Sequence, residues 1–279
     1  MAMNESKPPR RQLALDLGPE GRPRFAGGGF LGAVRIERPR GAKEFPFSIP
    51  AIRATKRIEF HPAITFFIGE NGSGKSTLLE AIAVKARFAA QGGAKRGATE
   101  MLASDSGLEH AITLERYGSP REGWFLRAES FYNIATELED LDKEPFCSHG
   151  FAAYGGKSFH AQSHGEAFLA LLTHRLQGGG LYLFDEPEAA LSPQRQLAVL
   201  ALLHRLVYHR SQLIIATHSP ILLAYPHARI FEFTERGINE TSYTETEHFR
   251  VTRDFLHSHE RMLDLLLGEE EADLIAKER

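Results

Sequence analysis

Ile64-Thr65-Phe66-Phe67-Ile68, running into Gly69-Glu70-Asn71-Gly72-Ser73-Gly74-Lys75-Ser76-Thr77, is the stretch that decides the fold. Its first five residues form a compact apolar run of strand length, and beyond the loop Leu78, Leu79, Ile82 and Val84 fall at helical spacing. Strand, glycine-rich turn and helix are the context in which G-x-x-x-x-G-K-[ST] binds phosphate, and Gly69–Ser76 fits that pattern in full. The glycines let the backbone curl so that successive N–H groups point at phosphate oxygens, while the helix N-terminus adds its partial positive charge. Gly69, Asn71, Gly72, Ser73 and Gly74 are therefore expected to line the phosphates of a nucleotide. Lys75 would reach the β- and γ-phosphates, Ser76 would offer its hydroxyl to Mg²⁺, and Thr77 is placed to contact the α-phosphate.

Further along, Leu181-Tyr182-Leu183-Phe184 reads as a buried strand that ends in Asp185-Glu186-Pro187. Ligands of open α/β sheets bind at the carboxyl ends of strands, where these two acids sit. Strict alternation would send them to opposite faces, but Pro187 cannot donate to a ladder, so pairing should end here and both can turn towards one site. Asp185 is then the expected Mg²⁺ holder and Glu186 the group that orients or deprotonates water, a division of labour that suits phosphoryl transfer. His218 follows the apolar strand Leu213–Ala216, at the same rim as Asp185. A histidine before a Ser-Pro helix start is also an ordinary turn residue, but after two such motifs it reads as a donor to the γ-phosphate. Ser163-His164-Gly165-Glu166 supports two readings: a capping box before an apolar helix, and an anion site for a nucleotide held elsewhere.

Ser163–Leu176 reads as a helix stopped by Gly178-Gly179-Gly180. Ser192-Pro193 opens another, with Leu197, Leu200, Leu203 and Val207 at intervals of three or four, and Ser219-Pro220 a third. Alternation of buried strands with such helices implies an α/β fold with a mainly parallel sheet covered on both faces. Ala33–Glu37, Arg57–Phe60, Ala111–Tyr117 and Trp124–Ala128 suggest a smaller, partly antiparallel N-terminal sheet. Residues 1–28, rich in Pro, Gly and Arg, read as a disordered basic lead-in, and residues 29–279 as a single domain with a helical C-terminal tail. Gln91–Leu108 is poor in bulky apolar residues and reads as a connection rather than core.

The 279 residues carry 33 Lys and Arg against 36 Asp and Glu, a net charge of −3, so no global field draws the molecule to nucleic acid or an anionic membrane. Cys147 is the single cysteine, which excludes an intrachain disulfide and fits a reducing compartment, the cytoplasm by default. No signal-like or membrane-spanning apolar stretch is present in the sequence, so no direct membrane insertion is expected.

With the phosphate loop, Ser163–Glu166, the Asp-Glu pair and His218 in this order, the chain resembles the ABC ATPases, including their RecF/SMC-like recombination-repair branch. The resemblance covers about residues 30–225. It implies a Mg²⁺-dependent ATPase with ATP and Mg²⁺ as ligands. It also implies that Ser163, Gly165 and Glu166 form the signature that contacts ATP on an opposing subunit, closing a homodimer head to head. The 22 residues from Ser163 to Asp185 and the 33 from Asp185 to His218 look like the family's spacing. Transporter ATPases usually carry Leu-Ser-Gly-Gly-Gln and a D-loop ending Leu-Asp. This chain has Ser163-His164-Gly165-Glu166 and Glu188-Ala189-Ala190-Leu191-Ser192-Pro193, which looks like soluble RecF-like and overcoming-lysogenization-defect-type enzymes.

The 85 residues between Thr77 and Ser163 show no heptads, implying a head without coiled-coil arms, as in small stand-alone bacterial ATPases. DNA, or a repair or defence protein, is the partner class that the resemblance implies; the energy-coupling subunit of a membrane transporter is the alternative. The Q-loop falls to Glu129 or Gln91, and Phe45, Phe47 and Phe60 are candidates for stacking adenine, each of which reads rather as core. His257 with His259, and Cys147 with His149, read as surface pairs.

Overall fold

A computed structural model describes residues 29–88, 93–94, 106–127 and 164–277. Strand β3 (Ile64–Gly69) is buried at every position, as a strand covered on both faces must be. It lies inside a seven-stranded sheet of order β10-β9-β3-β8-β7-β6-β4. The other members are β4 (Gly93–Ala94), β6 (Gly123–Arg127), β7 (Leu181–Asp185), β8 (Gln212–Ala216), β9 (Arg229–Thr234) and β10 (Gly237–Thr241). The five central strands run parallel, and β10 and β4 close the two edges antiparallel. A second sheet of three antiparallel strands, order β2-β1-β5, joins β1 (Leu31–Ile36), β2 (Arg57–Glu59) and β5 (Ile112–Arg116).

Alternation along the central strands divides the core in two. Phe66, Ile68, Tyr182, Phe184, Leu213 and Ile215 pack on one side against Phe168 and Leu172 of α3 (His164–Arg175) and Val199, Leu203 and Leu206 of α4 (Pro193–Tyr208). On the other side Phe67, Phe125, Leu183 and Ile214 meet Leu78, Leu79 and Ile82 of α2 (Lys75–Lys85), whose far side is covered by Val34, Ile58 and Ile112 of the small sheet. Helix α2 is thus sandwiched between two sheets, which is why its apolar residues run all round it instead of forming a stripe. Gln212, 1% exposed, joins the layers: its Oε1 accepts from Leu31 N–H at 2.8 Å, and its Nε2 donates to the carbonyls of Leu31 at 2.8 Å and His61 at 3.0 Å.

Four expectations need correction. The strand around Trp124 does not belong to the small sheet; it pairs parallel with β7, because both of its faces are buried. Leu197 is 57% exposed, and the buried face of α4 is Val199, Leu202, Leu203, Leu206 and Val207. Gln91–Leu108 holds more than a connection: Gly93–Ala94 forms an edge strand, and Leu108 is fully buried against α2. The C-terminal part supplies strands β9 and β10 before its helices α6 (Glu247–His257) and α7 (His259–Lys277), with the short α5 (Pro220–Leu223) ahead of them. Among the described residues no helix is long and apolar enough to cross a membrane.

Candidate functional site

The register of the central strands brings the motifs together. Phe67 of β3 and Asp185 of β7 both face Ala216 of β8. The chain therefore leaves three neighbouring strands on one edge, and the glycine-rich loop, the two acids and His218 emerge side by side. A cleft of about 920 Å³ opens there, lined by Gly69–Ser73, Glu186 and His218 and, on its far wall, by β9 and by Glu247, His248 and Val251 of α6.

The loop owes its shape to its glycines. Gly69 has φ of 138°, and a Cβ on it would lie 2.6 Å from the carbonyl oxygen of Phe233. Gly74, with φ of 100°, begins α2 without a side-chain cap, so the first N–H groups of the helix are not taken by a side chain. Lys75 is 3% exposed and donates from Nζ to the carbonyls of Gly69 at 2.8 Å and Glu70 at 2.9 Å. Burial lowers its pKa, opposed by the charges of Glu186, Asp185 and Glu188. Ser73 Oγ is buried with no hydrogen-bond partner among the described residues. Together with the uncapped helix start, this loop fits a phosphate group. Asn71 and Gly72 are exposed at the loop's tip, and Thr77 is half-buried on the first turn of α2.

Ser76 Oγ donates to Asp185 Oδ1 at 2.9 Å. Among the described residues no three His, Cys, Asp or Glu side chains gather as metal ligands, so a cation here would take this hydroxyl, this carboxylate and ligands brought by nucleotide and water. Such a hard, all-oxygen set fits Mg²⁺. Arg127, at the end of β6, faces both Asp185 Oδ2 at 3.4 Å and Glu80 Oε2 at 3.0 Å. Sequence reasoning missed it, since nothing local marks an arginine that closes a strand.

Asp185 and Glu186 can share one site because Glu186 adopts φ 50°, ψ 51°, a left-handed conformation that rotates its side chain out of strand alternation. Its N–H still bonds the carbonyl of Ala216 at 2.9 Å, which holds the turn against β8. Glu186 Oε1 then lies 3.6 Å from His218 Nε2. The loop bearing His218 is fixed by Glu188, whose carboxylate accepts from His218 N–H at 2.5 Å and from Thr217 Oγ1 at 2.7 Å. Burial raises the Glu188 pKa, while those two donors oppose the rise. On its other side His218 Nδ1 stands 3.1 Å from His248 Nε2 of α6. Burial lowers the pKa of both rings, and the Lys75 charge adds to the effect. His248 lies 30 residues from His218, and no motif points to it.

Gly165 and Glu166 begin α3, whereas Ser163, Glu129, Gln91, Cys147 and His149 lie outside the described residues. A Cβ on Gly165 would come within 2.6 Å of the carbonyl of Ala190, so this helix start packs against the loop after β7. Glu166 pairs with Arg195 of α4 at 3.0 Å and does not line the cleft. Phe47 and Phe60 are core, but Phe45 is 58% exposed and does not line the cleft either. His257 and His259 are exposed.

Two family models match the chain. One, described as "AAA domain", covers residues 47–109 and includes the phosphate loop. The other, described as "AAA domain, putative AbiEii toxin, Type IV TA system", covers residues 158–224 and includes Asp185, Glu186 and His218. No curated protein matches. Similar solved structures include cbiO1 from Clostridium perfringens, part of the ABC transporter complex cbiONQ, at 17% identity and TM-score 0.47, covering 86% of this chain and 100% of that one. The SMC head domain from Thermotoga maritima is similar at 14% identity and TM-score 0.40, covering 76% and 98%. The two stretches matched by AAA-domain models carry the glycine-rich loop and the strand-end acids that the sheet brings to one edge, which supports an ATPase of the P-loop class.

Proposed function

We propose that the chain binds Mg-ATP at Gly69–Thr77, hydrolyses it with Glu186 and His218, and closes as a head-to-head homodimer around two nucleotides. The observation that carries the reading is the meeting, at adjacent strand ends, of the Ser76–Asp185 pair at 2.9 Å and the Glu186–His218 pair at 3.6 Å. Lys75 neutralises the β- and γ-phosphates, exchanging its bonds to loop carbonyls for phosphate oxygens. Ser76 and Asp185 hold Mg²⁺, which when bound supplies charge neutralisation on the phosphates. Glu186 orients the attacking water and accepts its proton as the bond from γ-phosphorus to the bridging oxygen breaks, releasing ADP and phosphate. His218 donates from Nε2 to the γ-phosphate.

The homodimer is supported by Gly165 and Glu166, which start a helix away from the cleft of their own subunit and would reach a nucleotide from across an interface. Ser163, Gly165 and Glu166 would serve the second copy. The closing and opening of the dimer acts on a macromolecule in the cytoplasm, DNA or a repair or defence protein.

Light scattering on Glu186→Gln with and without Mg-ATP tests the assembly. A monomer that becomes a dimer only with nucleotide supports a signature acting in trans. A monomer that binds ATP without pairing overturns the homodimer and reduces Ser163–Glu166 to a helix cap. Co-purification with an integral membrane protein would replace the proposed macromolecular partner with a transport complex.

A further inference from the structure

Among the described residues His248 is the one imidazole that lines the cleft from outside the nucleotide-binding motifs, and its placement is built. Its helix starts at Thr246, fully buried, whose Oγ1 caps Phe249 N–H at 3.2 Å and donates to the carbonyl of Tyr243 at 2.7 Å. The Tyr243 ring packs on Phe249 at 4.7 Å, and its hydroxyl donates to the carbonyl of Pro220 at 3.0 Å. Pro220 stands two residues after His218. The segment that carries His248 is thereby bolted to the segment that carries His218, and the 3.1 Å approach of the two rings follows from that clamp.

Between two neutral imidazoles a hydrogen bond has one N–H and one lone pair, so the pair has two possible arrangements. In one, His218 donates from Nδ1 to His248 and turns the bare lone pair of its Nε2 towards the Glu186 carboxylate, 3.6 Å away. In the other, His248 donates from Nε2 to His218 Nδ1, and His218 presents Nε2–H to the side where Glu186 lies. Electrostatics favours the second, because a lone pair facing a carboxylate is repulsive and an N–H facing it is attractive. His248 Nδ1 has no hydrogen-bond partner among the described residues, so nothing there holds the opposite tautomer. Burial, with the charge of Lys75 adding to it, lowers the pKa of both rings, against the pull of Glu186 on His218 and of Glu247 and Glu232 on His248.

We infer that His248 is a positioning residue that donates a hydrogen bond to His218 Nδ1 and thereby fixes His218 as the Nε2–H tautomer facing Glu186. The inference rests on the hydrolytic reading only for its consequence, since a tautomer exists whether or not ATP is turned over. As a consequence, α6 takes part in the chemistry of the cleft without touching the phosphate: it sets which atom of His218 carries the proton that meets the γ-phosphate.

Imidazole nitrogen chemical shifts of labelled, nucleotide-free full-length protein read the tautomer directly. The expected result is Nε2–H on His218 in the wild type and a mixture in His248→Leu. His248→Gln, whose amide donates from about the position of Nε2, restores the wild-type signal. In ATPase assays His248→Leu should lower kcat about 10- to 100-fold, the usual scale for losing a group that orients a catalytic histidine, with KM for ATP little changed. His248→Gln should recover most of the loss. An Nδ1–H tautomer on His218 in the wild type overturns the inference, whether or not the variants fold. So does a His248→Leu protein with unchanged tautomer and unchanged kcat. A His248-dependent tautomer in a wild type that hydrolyses nothing supports the positioning and overturns the hydrolytic reading instead.

Discussion

Ser76 Oγ stands 2.9 Å from Asp185 Oδ1 although 109 residues of chain separate them, one on the first turn of α2 and the other at the end of β7. A hydroxyl and a carboxylate that already face each other make a ready seat for a hard divalent cation. Asp185→Asn should therefore keep ATP binding in the presence of a chelator and lose the gain that Mg²⁺ gives. A loss of about 10- to 100-fold in Mg²⁺-dependent affinity is expected. Titrations of a fluorescent ATP analogue with and without Mg²⁺ measure it, and an Asp185→Asn protein with wild-type Mg²⁺ dependence would remove Asp185 from the metal site.

Binding and turnover should separate at two other positions. Lys75→Ala removes the only buried ammonium of the loop and should abolish ATP binding in the same titration. Glu186→Gln keeps the shape of the turn and the bond from its N–H to Ala216, so ATP should still bind. Its amide cannot accept the proton of water, and turnover should fall on the order of 10²- to 10⁴-fold. Phosphate release at saturating Mg-ATP decides the point, and equal rates for Glu186→Gln and wild type would exclude Glu186 as the base.

The motifs that meet at this cleft were legible in the sequence because each is local. Gly69–Thr77 and Asp185-Glu186 each sit at a strand end that apolar runs announce, and parallel strands place their carboxyl ends on one edge. What the sequence hid depends on pairing across long separations. Arg127 and His248 carry no local pattern, and the left-handed backbone of Glu186, by which two adjacent acids face one cleft, has no side-chain signature. The exposure of Leu197 shows the limit of periodicity: a spacing of three or four fits more than one stripe on a helix, and only the neighbours of α4 select the one through Val199 and Leu203.

The histidine pair should make stability depend on pH. Both folded pKa values lie below the ordinary 6.5, chiefly through burial and with Lys75 adding to it, while Glu186 on one side and Glu247 and Glu232 on the other oppose the shift. As pH falls past about 6.5 the unfolded chain takes up protons that the folded rings refuse, so stability present above that pH is lost as pH falls through the folded values. Glu188 works the other way. Its raised pKa contributes stability below the ordinary carboxylate value of 4.5 that is lost as pH rises through the folded value. Melting temperatures of wild type and His248→Gln between about pH 7 and 5 isolate the histidine contribution. The wild type should lose more, and parallel curves would show that His248 does not share in it.

The layer that carries the site can be weakened apart from the site itself. Gln212 is buried at the start of β8, at the end of that strand opposite to His218, and its amide satisfies Leu31 N–H and the carbonyls of Leu31 and His61. Gln212→Leu keeps the volume and removes all three bonds, leaving backbone groups at the junction of the two sheets without partners. Each orphaned group costs about 1–3 kcal/mol, so unfolding in denaturant should show a loss of roughly 3 kcal/mol or more with an unchanged slope. Because β1 docks on the main sheet through this amide, the small sheet should loosen first, with faster hydrogen exchange in Leu31–Ile36 than in β7. The phosphate loop, Asp185, Glu186 and His218 are at the other edge and keep their contacts, so kcat of the folded fraction should stay near wild type. A large fall in kcat without a fall in stability would mean that Gln212 acts on the cleft and not on the seam between the sheets.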